Sequence, residues 1–149
     1  MATTYTLISS VTVGSGGAAS MAFTSIPATY TDLLVKVSAR STFTINPQAA
    51  LYISTNLSTP SSRRLEGNGS SAASYTEASS INASGSTPAN SSTANTFGNV
   101  EAYFPNYAGS SNKSVSVDGV GENNTTAAYA TLNAGLFPST SAITSITLT

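Results

Sequence analysis

The sequence of residues 32–40 is Asp-Leu-Leu-Val-Lys-Val-Ser-Ala-Arg, and its alternation of side chains indicates the fold class. Leu33, Val35 and Val37 fall on one face of this stretch, and Lys36 falls on the other. A period of two is typical of a β-strand with one buried and one solvated face. Strong helix formers are scarce in the chain, whereas Thr, Val, Ile and Tyr are common, which also favours strands.

Similar short runs recur on both sides of this stretch and are separated by turn signals. They predict roughly eight to ten strands, the others at residues 5–13, 20–25, 49–54, 63–67, 95–104, 113–121, 127–137 and 142–149. The pattern favours an all-β chain folded as an antiparallel two-sheet β-sandwich of jelly-roll type. An immunoglobulin-like sandwich is the alternative, although its Cys-Trp-Cys signature is absent from this sequence.

Residues 67–95 differ from the rest in composition. They are rich in Ser, Asn, Ala and Gly, and Tyr75 and Ile81 are their only sizeable apolar residues. We expect a single domain over residues 1–149 with a loop or arm at 67–95, since a loop this long within a domain is unusual and often functional. A mobile surface loop, an arm ordered against a neighbouring subunit and a further strand near residues 74–81 are the three interpretations.

The composition of the 149-residue chain excludes several function classes. There is no Cys and no His, which removes disulfides, thiolate chemistry, zinc fingers and Ser-His-Asp catalysis. Only 7% of residues are charged and the net charge is −1, so no basic surface is available for nucleic acid. No apolar run approaches the ~20 residues that span a bilayer. We predict no enzymatic activity, no cofactor, no metal, no nucleic acid and no membrane partner.

Two groups of residues are candidates for a binding site. Arg63 and Arg64, followed by Glu66, form the only local charge cluster, and they either protect a strand edge or contact another subunit. The tyrosines could form a sugar-binding platform, but packing in the core or an interface is favoured; they are Tyr52, Tyr75, Tyr103 and Tyr107.

The acidic residues of the second half are expected to lie on the solvated surface. Paired carboxylates could hydrolyse glycosides, and oxygen ligands could bind calcium, but no spacing motif supports either activity. The residues concerned are Glu101, Asp118, Glu122, Asn123 and Asn124.

Two long stretches resemble a known group of proteins. Residues 5–13 (Tyr-Thr-Leu-Ile-Ser-Ser-Val-Thr-Val) and 23–41 (Phe-Thr-Ser-Ile-Pro-Ala-Thr-Tyr-Thr-Asp-Leu-Leu-Val-Lys-Val-Ser-Ala-Arg-Ser) resemble the opening of small structural proteins of tailed bacteriophages, frequent in phages of marine bacteria and cyanobacteria. The resemblance continues at residues 95–114, 122–126, 134–137 and 142–148. Similar proteins run on into another short strand, whereas this sequence stops at Thr149.

The resemblance implies a virion protein, made in the host cytoplasm and exposed on the exterior of the particle. The favoured role is a multicopy capsid decoration or cement protein that binds the major capsid protein or other virion proteins, as a homo-oligomer with a trimer favoured. Its expected contacts are Arg63, Arg64, Tyr75 and Ile81. The alternative is a tail-fibre or receptor-binding adhesin module that contacts host-surface glycan through Tyr103 and Tyr107.

Overall fold

The computed structural model describes residues 5–44, 48–57, 59–83, 86–122 and 128–149, and within these ranges the protein consists of β-strands without a helix. The all-β class is therefore confirmed. In chain order the strands are β1 (Met21–Phe23), β2 (Leu33–Ala39), β3 (Gln48–Ala49), β4 (Tyr52–Thr55), β5 (Ser61–Gly67), β6 (Ala72–Glu77), β7 (Ile81–Asn82), β8 (Thr87–Pro88), β9 (Gly98–Phe104), β10 (Lys113–Glu122), β11 (Ala128–Phe137) and β12 (Ile146–Leu148).

The strands form three antiparallel sheets. A six-stranded sheet has the order β2-β9-β10-β11-β5-β6, a four-stranded sheet has the order β1-β12-β4-β7, and β3 pairs with β8. Every pairing among these strands is antiparallel. The arrangement is sandwich-like, as the alternation predicts, while the jelly-roll connectivity stays a prediction.

The hydrophobic core lies between the two larger sheets. In β10 the residues alternate between buried and exposed from Lys113 to Gly121, so one side of the strand faces the core and the other faces solvent. The inward side chains of the six-stranded sheet meet those of the four-stranded sheet, which include Ile53, Ile146 and Leu148. Burying each such side chain contributes about 1.5–3 kcal/mol. We call the side of the six-stranded sheet that faces away from this core the outer face.

The strand predicted at residues 5–13 is absent. Residues 5–14 run without a turn, a bend or a ladder partner, and each is exposed. The turn predicted after them is present, because Gly17 N donates to Gly14 O at 3.0 Å. Alternation records which side of a strand is apolar, but it does not supply the neighbouring strand that a ladder requires.

Residues 67–95, expected as a loop or arm, contain β6, β7 and β8 instead. The interpretation as a further strand near residues 74–81 agrees with β6. A turn joins β6 to β5, with Asn68 Oδ1 accepting from Ser70 N at 3.0 Å and Ser71 N at 2.8 Å. Small polar residues such as those of β6 can still pair in a sheet because the ladder uses only backbone groups. In β7, the fully buried Ile81 fixes the strand against the core.

Candidate interaction surface

The outer face is a broad exposed surface whose neighbours are fixed by strand register. One row crosses five strands through Leu65, Leu132, Asp118, Glu101 and Lys36. Residues directly opposite each other on neighbouring strands have Cβ atoms about 4.5–5.5 Å apart. The row therefore changes from apolar at β5 and β11 to charged at β10, β9 and β2.

The apolar half of the outer face, here called the leucine patch, consists of Leu65, Val120, Leu132 and Leu136. Their exposed fractions are 58%, 55%, 60% and 42%. Leu65 and Leu132 are direct cross-strand partners. The outward-facing Ala134 lies between Leu132 and Leu136 on β11, so the patch is uneven rather than flat. A contiguous apolar patch on a sheet face is a feature of protein interaction sites.

The other half of the outer face is held by polar contacts. Lys36 Nζ lies 2.9 Å from Glu101 Oε2, and the hydrogen bond and the negative charge of Glu101 together raise the pKa of Lys36. The Tyr103 hydroxyl donates to Asp32 Oδ2 at 2.8 Å, which raises the pKa of Tyr103. Lys36, Glu101, Asp32 and Tyr103 therefore all have polar partners within this half of the outer face.

Arg63, one of the predicted contact residues, lies on the outer face beside the leucine patch. It is exposed and stands opposite Ala134 of β11, two register positions from the Leu65–Leu132 pair. Its guanidinium donates to the carbonyl of Ser62 at 3.0 Å. Arg63 is thus positioned to contact a partner that covers the patch.

Arg64 faces the opposite way and is 6% exposed, so the structure removes it from the predicted surface contacts. Its guanidinium pairs with Glu66 and lies 3.5 Å from Glu77 Oε1. The Tyr75 ring covers it, with 4.1 Å between the guanidinium carbon and the ring centroid. A strand sends consecutive side chains to opposite faces, which is why adjacent arginines have different surroundings.

The remaining predicted contacts divide into buried and exposed residues. Ile81 and Tyr107 are 0% exposed and belong to the core, so neither presents a surface to a capsid or a glycan. The Tyr107 hydroxyl donates to the Pro27 carbonyl inside the fold. Tyr75 and Tyr103 are 43% and 37% exposed, and they lie far apart in the six-stranded sheet, on the edge strand β6 and on β9, which is next to the opposite edge.

The leucine patch is not apparent from the sequence alone. On β11 the polar Thr131 and Asn133 are buried, whereas Leu132 and Leu136 point outward. This reverses the usual preference of leucine for the interior. Val115 and Val117 of β10 point inward, and the pairing of β10 with β11 then places Leu132 and Leu136 on the outer face. Knowing this pairing would have located the leucines.

Nothing in the described parts of the chain assembles a catalytic or metal-binding cluster. Asp118 and Glu101 are cross-strand neighbours on the outer face, and Glu101 is paired with Lys36. No group of three or more acidic residues there could hold a metal ion. Asn123 and Asn124, weighed as calcium ligands, lie outside the described residues.

A groove of about 350 Å³ opens between β4 and the segment that precedes β7. Its lining combines hydroxyl and apolar groups, including Tyr52, Thr55, Leu57, Pro60 and Phe137. No charged side chain lines it, so it offers no acid, base or nucleophile activated by a neighbouring base.

Comparison with protein-family models, with curated proteins and with solved structures gives no match to this chain. Among the described residues, no helix has the length and apolar composition needed to cross a bilayer.

Proposed function

We propose that this chain is a structural protein of a tailed-phage virion, and specifically a multicopy decoration protein that binds the major capsid protein on the particle exterior. Two observations support the proposal. The sequence resemblance covers residues 5–13, residues 23–41 and most of 95–148. The outer face presents exposed leucines on a rigid sheet, which is the observation that carries a binding role.

The leucine patch suits a contact that is repeated many times over a shell. Burying an exposed leucine contributes about 1.5–3 kcal/mol before the costs of association. A patch of four large side chains therefore gives a modest affinity for each subunit. Association of subunits with one another, as a trimer in the favoured form, would multiply that affinity through effective concentration.

An enzymatic role has no support from the described residues, because the carboxylates on the outer face are exposed or ion-paired. The adhesin alternative relies on Tyr103 and Tyr107 as glycan contacts, but Tyr107 is fully buried and cannot contact a glycan. Tyr103 has its hydroxyl bonded to Asp32. No specific contact among the described residues favours glycan binding over protein binding. The localisation experiment below distinguishes the two roles.

The test combines localisation with a binding assay. Antibody labelling of intact virions is expected to show even label over the head, and label confined to the tail would overturn the decoration role in favour of the adhesin. A double variant, Leu65→Asp with Leu132→Asp, is expected to bind undecorated capsid shells at least ~10-fold more weakly, because it introduces unpaired charge into the contact.

The matched control places the same two charges on exposed strand positions away from the patch, as Ser38→Asp on β2 with Ser54→Asp on β4. It is expected to cosediment with shells as the unmodified chain does. Equal binding by the patch variant, with its far-ultraviolet circular dichroism unchanged, would show that the leucine patch is not the capsid contact.

A further inference from the structure

Residues 5–13, here called the N-terminal arm, have the side-chain pattern of a strand but no neighbouring strand among the described residues. Tyr5, Leu7 and Val11 fall on one side and are 69%, 80% and 46% exposed. The other side is mainly Thr and Ser. The first charged residue of the chain is Asp32, so no charge on the arm opposes its burial.

The outer edge of β6 is a strand edge with little to prevent pairing. β6 ends the six-stranded sheet, and among the described residues only β5 pairs with it. Proteins commonly protect such edges with Lys, Pro or very short strands. The opposite edge, β2, carries Lys36, and the edges of the four-stranded sheet are only three and two residues long. β6 has six residues, and its single charge, Glu77, is paired with Arg64.

The register shows which backbone groups of β6 point away from β5. Asn68 N donates to Ser71 O at 3.2 Å, which makes this pair the first hydrogen-bonded pair of the hairpin. Hydrogen-bonded and non-hydrogen-bonded pairs alternate along an antiparallel ladder. Ala72, Ser74 and Thr76 therefore direct their N–H and C=O groups toward the open edge.

The arm and the β6 edge lie on opposite sides of the same molecule. The arm leads into β1, which forms one edge of the four-stranded sheet, and β7 forms the other edge. β7 packs against β5 and β11, close to β6, so β1 belongs to the far side. This separation favours pairing of the arm with another molecule rather than with its own β6.

We propose that the N-terminal arm of one copy adds as a seventh strand to the β6 edge of a second copy. An extended nine-residue arm spans ~30 Å, which exceeds the ~20 Å length of six strand residues. Its apolar side chains would cover Tyr75, which is 43% exposed beside that edge. The contact is head-to-tail, because the donated arm and the accepting β6 edge lie on opposite sides of each copy, and such contacts close into rings or extend as filaments.

The first test is self-association of the purified chain, measured by sedimentation velocity over a concentration range. Ser74→Pro removes an N–H that faces the open edge without removing a bond to β5, and it should weaken association about tenfold or more. Ser74→Ala keeps that N–H and should associate as the unmodified chain does. A chain that stays monomeric, or equal association by folded Ser74→Pro, would overturn the proposal.

Two variants test which side of the arm makes the contact, and each places a single charge on one side. Leu7→Asp lies on the apolar side and is expected to weaken association about tenfold, whereas Thr6→Asp on the polar side should have little effect. Both changes lie outside the strands of the structure, so both chains should remain folded. Equal effects of the two variants would contradict pairing through the apolar side.

Cross-linking identifies the two partners even if Ser74→Pro fails to fold. The chain has no cysteine, so Ser10→Cys in the arm and Thr76→Cys on β6 introduce unique thiols. When the two variants are mixed, a bismaleimide linker should join them, and a size tag on one of them identifies the mixed product. Products formed only between identical variants, or none, would overturn the proposal. The result is independent of the virion assignment, because no capsid component takes part.

Discussion

Arg63 and Arg64 are adjacent, identical residues with opposite surroundings. The Arg63 side chain is exposed on the outer face. The Arg64 side chain is 7% exposed and is surrounded by Glu66, Glu77 and the ring of Tyr75. Removing a buried cation takes the ion-pair partner away from both carboxylates in a partly desolvated site, whereas removing an exposed one breaks no ion pair.

We expect Arg64→Ala to lower the free energy of unfolding by about 1–3 kcal/mol, measured by urea denaturation. The value lies below that of a fully buried pair because Glu66 and Glu77 are 26% and 25% exposed and water screens them in part. Arg63→Ala is the matched control and should change stability by less than about 0.5 kcal/mol. Equal losses for the two variants would contradict the assigned faces.

At the scale of elements, the fold depends on close contact between β11 and β7. A Cβ at Gly135 of β11 would lie 2.2 Å from Ile81 Cδ1 and 2.7 Å from Val115 Cγ1. Ile81 is fully buried, so the two sheets have no spare room at this point. Overpacking a dense core forces side chains away from their preferred rotamers or moves the backbone.

Gly135→Ala is therefore expected to destabilise the protein by about 1–3 kcal/mol in urea denaturation. Adding Ile81→Val to it removes the methyl group that the new side chain would strike, so the double variant should recover part of the loss. Gly16→Ala, where a Cβ meets nothing within 4 Å, is the control and should have little effect. If the double variant were no more stable than Gly135→Ala alone, the strain would lie elsewhere.

The longer strands were predictable from sequence because alternation survives wherever one face is apolar, as in β2, β9 and β10. The two-residue strands β3, β7 and β8 are too short to show any period. β11 alternates in the unexpected phase, since pairing with β10 and β5 fixes its faces whatever its own leucines favour. The leucine patch follows from that phase, so a single segment could not reveal it.

At the scale of the whole molecule, the surfaces assigned to binding are separate from most of its few charges. The N-terminal arm carries no charge, and only Glu77 of β6 is charged. The ion pair of Lys36 and Glu101 lies at the other end of the outer face. Self-association through the arm would then rest on backbone hydrogen bonds and apolar contact, and neither depends strongly on dissolved ions.

We expect the dissociation constant of self-association to change by less than about threefold between 0.1 and 1 M NaCl, although the Debye length falls from about 10 to 3 Å over that range. The measurement is sedimentation velocity at a series of salt concentrations. Leu7→Lys provides the comparison: with Glu77 at the edge of the acceptor, its association should weaken as salt rises, because a charge now contributes to the contact. A tenfold or larger weakening of the unmodified chain would mean that ion pairs hold the copies together, and the arm would then not be the main contact.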